Sequence, residues 1–149
     1  MDLFKEKLGE PDLKLAGLQI WCHGREFPNS KDYWDSNWLN VTVHCGALGA
    51  DVWTQGCILH LGDLQTFLSE VESLNEGKRT DAQLPRLEPY LSVDMRVGKR
   101  GEILLTVQIT PDNLTQEHSF KFEIDLSYLP GLIRELKSIF QKFPLIGHP

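Results

Sequence analysis

Between Leu91 and Leu126 apolar residues return at every second position in three separate runs, and that period restricts this part of the chain to extended strands. Leu91, Val93, Met95 and Val97 make the first run, Ile103, Leu105, Val107 and Ile109 the second, and Phe120, Phe122, Ile124 and Leu126 the third. Successive side chains of a strand point to opposite faces, so each run lines a core with one face. Ser92, Asp94, Arg96, Gln108, Lys121 and Glu123 sit between them and are expected to face water, the pattern of an antiparallel sheet solvated on one side. Gly98 to Gly101 then makes a hairpin turn and Pro111 to His118 a longer connection.

The same reading extends to the rest of the chain. Leu15 to Cys22 is expected as a first strand, with Leu18, Ile20 and Cys22 facing one way and Gln19, Trp21 and His23 the other. Gly24 to Asn37 reads as a loop, Leu39 to Cys45 as a second strand and Val52 to Leu61 as a third. From Leu61 the spacing changes to three and four, through Leu64, Leu68 and Val71, which predicts a helix to about Asn75 with Gly77 beyond its end. Glu76 to Glu88 has no period and reads as a connection. Leu129, Leu132, Ile133, Leu136, Ile139 and Phe140 form the stripe of a closing helix, with Ser127 or Asp125 as its cap, Pro130 in its first turn and Phe143-Pro144 at its end. The expectation is one α+β domain over residues 1–149: an antiparallel sheet of about six strands, with two helices on one face or across its ends. No internal repeat and no dividing linker is visible.

With 149 residues the chain is long enough for one core without staples. Its net charge of −6 repels phosphate backbones, so nucleic acid is not expected as a partner, and Arg96, Lys99 and Arg100 read as solubilising charges of a hairpin. The three cysteines, Cys22, Cys45 and Cys57, cannot all pair within one chain, which points to a reducing, cytoplasmic setting. No run approaches the roughly 18 apolar residues of a membrane span, and Met1 to Lys7 lacks the apolar stretch of an export signal.

Familiar chemistry fails on spacing. Of the Cys/His neighbours, only Cys57 and His60 have the separation of a zinc knuckle; Cys22/His23 and His44/Cys45 are adjacent on strands and point apart. Core cysteines beside surface histidines account for all three pairs. Cys22 and Cys45 share faces with Ile20 and Val43, where a thiol is buried and inert. Asp32, Asp35 and Asn37 suggest a calcium loop, but the sixth residue from Asp32 is Asn37 rather than glycine and the twelfth is Val43 rather than glutamate. No metal, no cofactor and no catalytic residue is expected.

One segment stands apart. Ser30 to Leu39 places Tyr33, Trp34 and Trp38 among Asp32, Asp35, Ser36 and Asn37, and such a density of aromatics anchors either the core or a contact surface. Trp38 is expected buried, Tyr33 and Trp34 partly exposed. Asp32, Tyr33, Trp34 and Asp35 are the candidate partner-binding residues. Flat aromatic faces with acidic neighbours would also suit a sugar ring or another small ligand, which is the alternative.

The order of these features resembles a family. Asp-Tyr-Trp-Asp-Ser-Asn-Trp-Leu at positions 32 to 39 leading into a strand, a helix over Leu64 to Leu74, Glu88-Pro89 before the meander and Asp125 to Leu129 before the last helix are similar to the WapI-type immunity proteins of bacteria. The resemblance covers nearly the whole chain. It implies a small cytoplasmic protein that binds and neutralises a cognate toxin domain, commonly a nuclease and so basic, without catalysis; it transfers no contact residue.

Overall fold

The computed structural model describes residues 7–85 and 90–149. Among these residues eight strands form two four-stranded antiparallel sheets, each a meander in chain order, and a helix closes each. The first half runs β1 (Leu13–Leu15), β2 (Leu18–Arg25), a single-turn helix α1 (Tyr33–Ser36), β3 (Trp38–Ala47), β4 (Ala50–His60) and α2 (Leu61–Asn75). The second runs β5 (Asp81–Leu84), β6 (Leu91–Val97), β7 (Ile103–Ile109), β8 (Ser119–Ile124), a 3-10 turn at Leu126–Tyr128 and α3 (Leu129–Lys142). A four-strand meander followed by a helix thus occurs twice, a repeat of topology that the sequence does not display.

The α+β class stands, and the single six-stranded sheet is corrected to two sheets, with the short helix α1 beside the two long helices among the described residues. Two strands escaped the periodicity. The expected first strand is a hairpin, because Ala16 adopts a left-handed φ of 51° and turns the chain between Leu15 and Leu18. Within the expected connection from Glu76, Asp81–Leu84 pairs with β6; its burial of Ala82 and Leu84 alternates over too few residues to register as a period. Glu88, Pro89 and the rest of 86–89 lie outside the described residues. The third meander strand ends at Ile124, and Leu126 belongs to the 3-10 turn. Asp125 caps that turn through Ser127 N–H at 2.8 Å, whereas α3 has Tyr128 at its N-cap and no side-chain cap bond.

The faces chosen by alternation are the buried ones. Leu18 and Ile20 of β2, Leu39, Val41, Val43 and Cys45 of β3, and the inward residues of β6 and β7 join Leu64, Phe67, Val71, Leu132, Leu136 and Ile139 of the helices in one core. Burying each such side chain stabilises by about 1.5–3 kcal/mol, which is why one core unites both sheets. The sheets meet where β3 touches β8 and β4 touches β7; α2 packs on β5 and α3, and α3 on β1.

The far side of the first sheet is not left to water. Trp21 was expected opposite the core, and it is, yet only 6% of it is exposed: it stacks on Trp53 at 5.7 Å and donates from Nε1 to the carbonyl of Gly9. His44 continues the layer, 4.3 Å from the Trp53 ring, with Nε2 on Asp51 Oδ1 at 2.6 Å and Nδ1 on Gln19 Oε1 at 2.9 Å. A side chain at Gly46 would strike this pair. His44 and His60 are therefore buried, not the surface histidines expected, and of the three histidines near a cysteine only His23 is exposed. Cys45 is fully buried, Cys22 and Cys57 half-buried, and all three are free thiols.

Beside β3, both neighbouring strands carry an irregularity at the same level. The β2 register shifts between Cys22 and Gly24, the β4 register opposite Leu39 and Asn40, and Gly24 and Gly56 take φ of 156° and 153°, open to glycine and strained for other residues. Beyond this level lie Arg25, Trp38 and His60, the floor of the aromatic segment.

Candidate functional site

Asp32 to Trp38 forms a lobe at one end of the first sheet. Asp32 stands at the N-cap of α1, its Oδ1 accepting from the N–H groups of Trp34 and Asp35 at 2.8 and 3.0 Å, and Ser30 Oγ donates to Oδ2 at 3.2 Å. These donors, Asp35 N–H foremost, hold the Asp32 carboxyl below its ordinary pKa, and the Asp35 carboxyl lies beside it. Asp32 therefore builds the turn, whereas Asp35 points to water.

The aromatics divide by burial. Trp34 is 59% exposed; Tyr33 and Trp38 are half-buried, so the burial expected of Trp38 is incomplete. All three rings surround His60, at 5.3 Å for Tyr33, 5.7 Å for Trp34 and 5.1 Å for Trp38, and Tyr33 meets Trp34 edge-on at 5.0 Å. Tyr33 also covers the start of α2, where a side chain at Gly62 would collide with its hydroxyl.

Side chains from below hold the backbone of the lobe at several points. Ser36 Oγ donates to Ser30 C=O, Asn37 Nδ2 to Tyr33 C=O, Arg25 Nη1 to Ser36 C=O and His60 Nε2 to Trp34 C=O. The last bond fixes a tautomer. Gly62 N–H donates to His60 Nδ1 at 3.0 Å, so that nitrogen is bare and Nε2 carries the proton directed at Trp34. His60 thereby caps α2 and fastens the lobe with one ring. Asp63, in the same first turn, has its carboxyl pKa raised by burial and partly lowered again by His60.

Ser36, Asn37 and His60 are almost completely buried, and each gives one polar atom to this backbone. Sequence reasoning found the lobe but not His60, Asn37 or Arg25 as its supports. The available signal for His60 was its place immediately before the helix, the position where a side-chain acceptor caps free N–H groups.

With both nitrogens committed, His60 is no zinc ligand for Cys57 in this conformation, and no group of three His, Cys, Asp or Glu side chains that could hold a metal occurs among the described residues. No helix of the described residues is long and apolar enough to cross a membrane. What the lobe offers is a shaped surface: an open indole, two carboxylates and a rigid floor.

The chain belongs to the Immunity protein WapI-like family, whose family model matches residues 12–144. No curated protein matches the sequence significantly. Among solved structures it is similar to "Crystal structures of trypanosoma bruciei MRP1/MRP2", with TM-score 0.45, 10% identity, and 96% of this chain and 93% of that chain covered. It is also similar to "Structure of a guideRNA-binding protein complex bound to a gRNA", with TM-score 0.43, 12% identity and coverage of 86% and 92%. Likeness at that level does not bear on what this chain binds.

Proposed function

We propose that this chain is a toxin-neutralising immunity protein that acts in the bacterial cytoplasm by direct binding and catalyses nothing. Trp34 carries the reading: a 59% exposed indole whose carbonyl is tied by a buried histidine and whose ring is braced by Tyr33. Rigid exposed tryptophans are the side chains that anchor protein interfaces, because they bring a large contact area and lose little freedom on binding. Asp32, Tyr33, Trp34 and Asp35 form the contact face. The partner is a basic toxin domain, since net charge −6 speeds its capture and the same charge disfavours nucleic acid as a ligand.

The test is co-expression with the product of whichever gene adjoins this one, the place where a cognate toxin is expected. The chain is expected to co-purify with that product and to restore growth, and Trp34→Ala to weaken both effects. Absence of any complex, together with a shift of tryptophan emission by oligosaccharides, would replace this reading with a carbohydrate-binding one.

A further inference from the structure

Past α3 the chain is hydrogen-bonded in a way that ties it to the lobe. Phe143 N–H still donates to Ile139 C=O, but among the described residues no backbone-to-backbone bond joins residues 144–149 to the rest of the molecule. Instead Pro144 C=O accepts from Arg25 Nη2, Ile146 N–H donates to Asn37 Oδ1, and Asn37 Nδ2 donates to Ile146 C=O. The same two side chains hold the lobe, Arg25 through Ser36 C=O and Asn37 through Tyr33 C=O. Gly147 then runs beside the Tyr33 backbone. Packing pins this strap less firmly than the core: Phe143, Leu145 and Ile146 are only half-buried, and a groove of about 450 Å³ opens between Pro144, Leu145 and the two long helices at Leu68 and Phe140.

We propose that residues 144–147 are a latch for the contact face: seated, they hold Tyr33 to Asn37 in the binding conformation, and released, they loosen it although no residue that meets the partner has changed. This rests on the reading of the lobe as the contact face. The coupling follows from the shared supports. Asn37 is fully buried, and a buried amide deprived of its partners costs more than the bond itself contributed. Its Nδ2 donates to both segments and its Oδ1 accepts from the strap, so Ile146 also decides which way the amide faces. Once the strap lifts, that amide is free to turn and water reaches the Tyr33 and Ser36 carbonyls. A surface segment held by few bonds opens at the lowest cost in a fold, which makes the strap the element whose motion the lobe feels first.

Amide hydrogen exchange of the full chain, followed residue by residue by NMR, tests the latch. Ile146→Pro removes the N–H that Asn37 Oδ1 accepts and leaves every lobe residue in place. Exchange at Asp35 and Ser36, whose N–H groups bond to Asp32, is expected to rise about tenfold, the effect of one buried hydrogen bond. Val43 and Met95 in the core should stay within about twofold of wild type. Leu145→Ala, a milder release that keeps every bond to Asn37, should raise Asp35 and Ser36 by about threefold. Asp35 and Ser36 that exchange as in wild type in both variants, or that rise only as far as Val43 and Met95 do, overturn the latch. So does undiminished capture of the adjoining gene's product by an Ile146→Pro chain whose lobe has loosened. The same product separates the latch from the functional reading. If wild type captures nothing while Ile146→Pro still frees Asp35 and Ser36, immunity falls and the latch stands; if wild type captures that product and both variants exchange as wild type does, the latch falls and immunity stands.

Discussion

Asn37 and Ile146 pair like two backbone units of a sheet: Ile146 N–H donates to Asn37 Oδ1 at 2.9 Å, and Asn37 Nδ2 donates to Ile146 C=O at 2.8 Å. The same Nδ2 also donates to Tyr33 C=O at 2.7 Å, and Arg25 donates to the carbonyl of Pro144. One fully buried amide thus joins the C-terminal tail to the aromatic lobe. Replacing Asn37 by alanine strands several of these groups, with an expected loss of about 2–4 kcal/mol in chemical denaturation. The tail should then become the first site of limited proteolysis.

Half-buried Tyr33 and exposed Trp34 should separate experimentally. Tyr33→Ala removes a half-buried ring from His60 and Gly62, with an expected cost of about 1–2 kcal/mol. Trp34→Ala should change stability by no more than about 0.5 kcal/mol while it weakens partner capture. Thermal melts and pull-down of the two single variants check this; a large drop in stability for Trp34→Ala would show that its ring serves the core.

Gly17 sits where the sheets meet. A methyl group there would collide with Gly46 C=O and with the Phe122 ring of β8, and the backbone carbonyl has no rotamer by which to move away. Gly17→Ala is expected to cost at least about 2 kcal/mol, read as a fall in denaturation midpoint with unchanged slope.

Two thiols should be silent. Burial pushes Cys22, with a smaller contribution from the Asp12 carboxylate, and Cys45 up to about 12 from an ordinary 9.0. At pH 8 that leaves a thiolate fraction of about one in ten thousand, against about one in ten for the unfolded chain. Iodoacetamide labelling of both, followed by mass spectrometry, should therefore accelerate about a thousandfold on unfolding. Since the folded state favours the neutral thiol, the associated stability is complete below pH 9.0 and declines as pH rises from there through about 12.

The Asp32 cap works in the opposite direction. Its folded pKa lies below the ordinary 3.8, so its contribution is present above that value and is lost as pH falls through the lowered one. Acid titration of tryptophan fluorescence should show the lobe loosening only below about pH 3.8. Asp32→Asn, which caps without an ionisable group, should flatten that change.

Local pattern alone determined most of the elements. Alternation along Leu39 to Cys45 and Leu91 to Ile109 selected the faces that are buried, and the spacing from Leu61 and from Leu129 located both long helices, because burial of one face imposes the period of the backbone on the sequence. The dense run from Asp32 to Trp38 and its family likeness were visible in the same way. Tertiary structure decided what depends on distant partners: the division into two sheets, β5 as a strand held by β6, the burial of Trp21 under Gly9 and against Trp53, and the support of Trp34 by His60 and of the tail by Asn37. Strand pairing and side-chain-to-backbone bonds over tens of residues leave no period behind, since each satisfies a single polar group at a single place.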